Sequence, residues 1–176
     1  MDFEIEEKVK FGRELVFTTI RDKLAELVPY LPNVKKIEVL ERKKTKGVIQ
    51  LTNKWYADYK IPALVRKVIK VDELSWTDYA KWYDDDYTCE WRIEPVVFKD
   101  YVKAEGKNFF IEKGDETIVK LTGHIEIDVS SHPLVPRLLA GTVNKEITGI
   151  VLMGIKPNLV SLIEGLRKYL SKKKTK

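Results

Sequence analysis

The stretch VNKEITGIVLMGIKPNLVSLIEGLRKY, residues 143–169, decides how the chain is read. Val143, Ile147, Ile150, Val151 and Gly154, then Leu159, Leu162, Ile163, Leu166 and Tyr169, recur at steps of three and four. That spacing lines up one face of an α-helix. A straight helix of this length would span ~40 Å. Pro157 lies inside it, lacks an N–H and crowds the preceding turn, which predicts a kink or a split there. The helix is expected to end near Leu170.

Working outward, the rest of the chain reads mostly as strands. Residues 2–10 alternate through Phe3, Ile5 and Val9. Residues 13–28 change to helical spacing, with Leu15, Val16, Ile20, Leu24 and Leu27. Asp22 stands where it can cap a second short helix, and Pro29 and Pro32 end the stretch. Six more strands are expected over 34–42, 47–57, 75–83, 86–95, 98–112 and 117–129. Gly106 inside the long 98–112 run predicts a bulge or bend. Most connections are short, so the seven strands should form an antiparallel sheet. A sheet with one long helix packed on one face is an α+β arrangement.

The 176 residues suit one domain over 1–171, followed by a basic, frayed tail at 172–176. The net charge of +5 describes the chain's end. Arg167, Lys168, Lys172, Lys173, Lys174 and Lys176 carry it, and the body without them is near −1. No nucleic-acid surface is therefore expected. The tail is a solvated end or makes a weak contact with anionic membrane or RNA. Cys89 is the single cysteine, which excludes an intramolecular disulfide and a multi-cysteine metal cage. MDFEIEEKVK at the start has no signal or transit pattern. No uninterrupted apolar run reaches the ~20 residues of a membrane span. The expectation is a cytoplasmic protein. One glutamine, two methionines and many Lys and Glu point to a thermophile.

Strand parity places the four tryptophans. Ile49, Leu51, Asn53 and Trp55 share one face of their strand. Trp76, Asp78, Ala80 and Trp82 share a face, as do Tyr87, Cys89, Trp91 and Ile93. Val102, Ala104 and Gly106 form a row of small residues. One sheet face thus mixes large aromatics, small residues and two polar outliers, Asn53 and Asp78. That mixture suits a small-molecule pocket. It equally suits a filled aromatic core.

The element order resembles the helix-grip fold of the START-like (SRPBCC) superfamily, which includes birch-pollen-allergen-like and polyketide-cyclase/dehydrase-like proteins. Arg13-Glu14-Leu15-Val16-Phe17 sits where these families begin their first helix. Residues 31–39, LPNVKKIEV, are similar to the lead-in of their second strand, and Gly114-Asp115-Glu116-Thr117 to the turn before their last. The resemblance covers nearly the whole chain. It implies a seven-stranded curved antiparallel sheet wrapped around the long helix, with two short helices after strand 1. It also implies an apolar cavity between sheet and helix that holds a lipid, sterol, polyketide or similar ligand. On that implication Asn53, Trp55, Trp76, Asp78, Trp82, Trp91, Ile150 and Gly154 become the candidate ligand-binding residues.

Between the third and fourth strands, Ile61, Leu64, Val65, Val68 and Ile69 make a helical apolar stripe, opposed by Lys60, Arg66, Lys67 and Lys70. This segment is a lid over the cavity, a packed structural helix, or a basic amphipathic contact for an anionic membrane. The remaining chemistry is thin. His124 should face outward, and His132 precedes Pro133 in a loop. Asp84-Asp85-Asp86 lacks the alternation and glycine of a calcium loop and reads as a hairpin turn. No phosphate-binding glycine motif occurs. No metal and no cofactor is expected. The first functional reading is binding or transport of a hydrophobic small molecule or lipid. The alternatives are a cyclase, dehydrase or aromatase acting through Asp78, Asn53 or a tyrosine, and a membrane- or protein-binding module without a ligand.

Overall fold

The computed structural model describes residues 1–70 and 73–174, with the side chains at 68, 69, 153–156 and 174 outside that description. Seven strands make one antiparallel sheet: β1 (Asp2–Val9), β2 (Val34–Thr45), β3 (Val48–Ala57), β4 (Ser75–Tyr83), β5 (Thr88–Pro95), β6 (Val102–Lys113) and β7 (Glu116–Ile127). Their spatial order is β1-β7-β6-β5-β4-β3-β2. Each strand from β2 to β7 therefore neighbours the next, and β1 closes on β7. The helices are α1 (Arg13–Asp22), α2 (Ala63–Ile69) and α3 (Ala140–Lys174). A 3-10 helix spans Leu24–Tyr30 and a shorter one Arg137–Leu139. This is the expected α+β helix-grip arrangement.

Several expectations change in detail. Asp22 caps nothing. Its carboxylate accepts from Arg21 and Arg42 instead, and the 3-10 helix begins after Lys23 with no side-chain cap. β6 begins at Val102 rather than at 98, because Phe98 sits at φ 66° and turns the chain. Tyr87 at φ 50° likewise delays β5 to Thr88. Gly106 makes no bulge: its register with Trp91 and Gly123 is unbroken. Pro157 does not split α3, which stays helical for 35 residues. The helix also runs past Leu170 to Lys174, with Lys172 over the Tyr30 ring and Lys173 over that of Tyr169.

The core is divided along α3. Under its C-terminal half, Ile163, Leu166, Tyr169 and Leu170 pack with Phe17, Leu27, Trp82, Phe110 and Leu121. Arg167 fastens this end to β1, donating to Glu7 and to the Lys8 carbonyl. That contact explains an acid on the inner face of β1. Under the N-terminal half, Val143 and Ile147 pack with Ile61, Val65, Phe98, Val102, Val129 and Val135. By length and composition α3 is also apolar enough to cross a membrane, although Pro157 and scattered polar residues interrupt it. Here it lies against the sheet.

Candidate functional site

The unbroken β3–β4–β5 register carries side chains of like parity into rows across the inner face. One row runs Asn53, Asp78, Ile93, Ala104 and Ile125. A second joins Ile37, Trp55, Trp76 and Pro95. A third joins Leu51, Ala80, Trp91, Gly106, Gly123 and Phe3. The structure thus brings Asn53, Trp55, Trp76 and Asp78 together at the end of the sheet away from α1.

Trp55 and Trp76 stack with ring centroids 5.7 Å apart and planes inclined by 17°. Beside them the Asn53 amide donates to Asp78 at 3.1 Å. Asn53 is buried, 1% exposed, and its Oδ1 has no hydrogen-bond partner. Asp78 sits deep among protein atoms, yet part of its surface stays accessible. Burial pushes its carboxyl up to about 6, against the hydrogen bond from Asn53 and the nearby Trp55 indole, which both hold it down. That indole N–H leans on the carboxylate without a well-formed hydrogen bond, so Trp55 Nε1 stays unsatisfied.

The other candidates separate. Trp82 lies in the closed end, 4% exposed, edge-on to Phe17 at 5.2 Å. Trp91 is 9% exposed and lies over Gly106 and Gly123, its Nε1 donating to Asn108 at 2.9 Å. Ile150 is half-buried and packs beside the N-terminal cluster. The side chains at Gly154 and Val68 fall outside the described residues. Ile61 and Val65 are buried against α3's cluster, with Leu64 partly so.

Two features escape a reading of the sequence. Asn108 continues the parity of Ala104 and Gly106, so the same count that places those residues could have found it. Tyr59 and Asn158 could not be found that way. Burial raises the Tyr59 phenol, which the Asn158 side chain holds down through a hydrogen bond. This pair joins the loop after β3 to α3, and Asn158 Oδ1 is buried without a partner.

Between Ile147 and Ile163, no described residue of α3 is buried. On the sheet, Trp55 shares a cluster with Leu162 and Ile93 shares one with Val151, and Trp55, Trp76, Asp78 and Ile93 are all partly accessible. Two open hollows lie elsewhere, on the outside: one over Glu105, Lys107 and His124, the other beside Tyr101 and Asp128. Neither includes Asn53, Trp55, Trp76 or Asp78. His124 faces outward as expected, against Asp2 at 2.5 Å and Glu126 at 3.2 Å. Burial, then the Asp78 charge, raises the Cys89 thiol well above its ordinary value, so it remains protonated. Among the described residues no His, Cys, Asp or Glu cluster is arranged to hold a metal ion.

Solved structures agree on the fold. TTHA0849 from Thermus thermophilus matches with a TM-score of 0.61 at 22% identity, covering 96% of this chain and 95% of that one. The Zhui aromatase/cyclase from a Streptomyces species matches with a TM-score of 0.67 at 13% identity, covering 97% and 95%. A START superfamily protein from Mycobacterium smegmatis matches with a TM-score of 0.54 at 15% identity, covering 97% of each chain. No protein-family model matches the sequence, and no curated protein matches it significantly. The chain shares the helix-grip fold of these structures.

Proposed function

We propose that the protein binds a hydrophobic small molecule or lipid between the sheet and α3. One observation carries this reading: the described residues of α3 between Ile147 and Ile163 are at most half-buried, and Trp55, Trp76 and Ile93 on the inner face of the sheet are themselves only partly covered. In a filled core such residues would lose nearly all their accessible surface. Burying a ligand's apolar area there would contribute ~25 cal/mol per Å² before ordering costs. The packed clusters at either end hold the grip open, and α2 lies beside one end as the lid. A cyclase, dehydrase or aromatase activity is the second reading. It is favoured by Asp78, a deep carboxyl poised near neutral pH, where proton transfer is efficient. The similar Zhui structure is of an aromatase/cyclase. The single buried cysteine and the Lys- and Glu-rich composition support a cytoplasmic, thermophilic setting.

Native mass spectrometry of the purified chain, with extraction of what it carries, tests the reading. An apolar compound released on unfolding is the expected result. A protein that carries nothing, and does not take up the neutral fluorophore N-phenyl-1-naphthylamine, would overturn it.

A further inference from the structure

The polar groups at the inner site are unequally satisfied. A carboxylate can accept about four hydrogen bonds. Asp78 receives one well-formed bond, from Asn53. Asn53 Oδ1 is a second buried acceptor with no donor. Among the described residues no Lys, Arg or His pairs with Asp78; the ionisable group that feels its charge is the Cys89 thiol, which stays neutral. An ionised carboxylate this deep is costly unless a cation or several donors meet it. The Asn53 amide and the poorly aligned Trp55 indole are the donors at Asp78, and no described cation meets it, so the unfilled requirement is for positive charge, with one further donor for Asn53 Oδ1.

Beside these acceptors stands the stacked Trp55–Trp76 pair, both rings partly accessible. Indole faces attract cations and pack flat apolar groups. An ammonium group has three donors and no acceptor. It can donate to Asp78 and to Asn53 Oδ1 together. A hydroxyl has one donor and leaves one acceptor unmet, and a carboxylate is repelled.

We infer that the ligand carries a protonated amine on an apolar, ring-bearing body, held by Asp78 and Asn53 with the Trp55–Trp76 pair as its wall. The inference rests on the proposal of a ligand space under α3 and specifies what occupies it.

Three compounds with one body and different heads test it: 4-phenylbutylamine, 4-phenyl-1-butanol and 4-phenylbutyrate. Binding to the full chain is measured by calorimetry at pH 8, with Asp78 ionised, and at pH 5, with it mostly protonated. At pH 8 the amine should bind at least about tenfold more tightly than the alcohol, and butyrate most weakly. The amine's advantage should shrink to about threefold or less at pH 5. Asp78→Asn should remove it at pH 8 while leaving the alcohol's affinity in place. The amine inference fails, with the ligand space intact, if the alcohol binds at pH 8 as well as the amine. It fails equally if Asp78→Asn keeps the preference. Should that variant not fold, the two pH values in the native chain still decide. If none of the three binds, the ligand space and the inference fall together.

Discussion

The Trp91 indole lies against Gly106 on the neighbouring strand, so closely that a Cβ on Gly106 would stand 2.5 Å from Trp91 Cζ2. It would also stand 2.0 Å from the Thr122 carbonyl oxygen and 2.8 Å from Gly123 Cα. Two of those three obstacles are backbone and cannot rotate away. Gly123 takes Trp91 and Phe3 in the same manner. The two glycines make room for the indole that floors the middle of the grip.

Gly106→Ala should therefore cost about 3 kcal/mol of folding stability, as overpacking a rigid site does. Gly149→Ala is the control. A Cβ there meets nothing within 4 Å, and the residue is inside α3. It should gain up to ~1 kcal/mol from helix propensity. Urea unfolding of both variants checks the pair. A Gly106→Ala protein as stable as the parent would show that the sheet shifts freely at Trp91.

Counting alternate residues places Asn53, Asp78 and the tryptophans inward, and the count holds because β3, β4 and β5 pair without a slip. It fails at Gly106 because a glycine in a strand has two causes, a bulge or a close neighbour, and sequence spacing does not distinguish them. Phe98 extends β6 on paper because it is apolar. In the fold its left-handed backbone ends the alternation, and its ring joins the cluster around Val65. Tyr59 and Asn158 meet across 99 positions of chain, a contact that no local pattern encodes.

The α2 segment should behave as a gate. It has seven residues and no side-chain N-cap, too little to be stable alone. Val65, fully buried, and Ile61, 4% exposed, hold it down. Lids come from the low-stability end of a structure. Amide exchange over Ala63–Ile69 should be faster than in Thr88–Pro95 and Glu116–Ile127, and should slow when N-phenyl-1-naphthylamine is bound. Leu64→Asp should speed release of the fluorophore with little change in the thermal midpoint. Equal protection in all three segments, with or without the fluorophore, would make α2 fixed packing.

Asp78 should leave a signature in the pH dependence of stability even without a ligand. Its carboxyl is pushed from 3.8 to about 6 in the folded protein. A raised pKa means that the folded state holds a proton the unfolded state has released. Stability from this group therefore falls as pH rises from about 4 to about 6, and the deficit persists above that range. A shift of this size corresponds to about 3 kcal/mol at most. Other carboxylates act in the opposite sense: hydrogen bonds hold Glu38 and Glu90 down, and ion pairs and hydrogen bonds outweigh burial at Asp22, so those contributions vanish in acid. The raw stability curve mixes both signs. The comparison with Asp78→Asn isolates one of them, because asparagine keeps the shape and can still accept from Asn53. The variant should be more stable than the parent at pH 8 by up to about 3 kcal/mol, and the gap should close near pH 4. Urea unfolding at the two pH values checks this. A gap that does not change with pH would mean that Asp78 titrates as an exposed carboxylate, with water rather than protein around it.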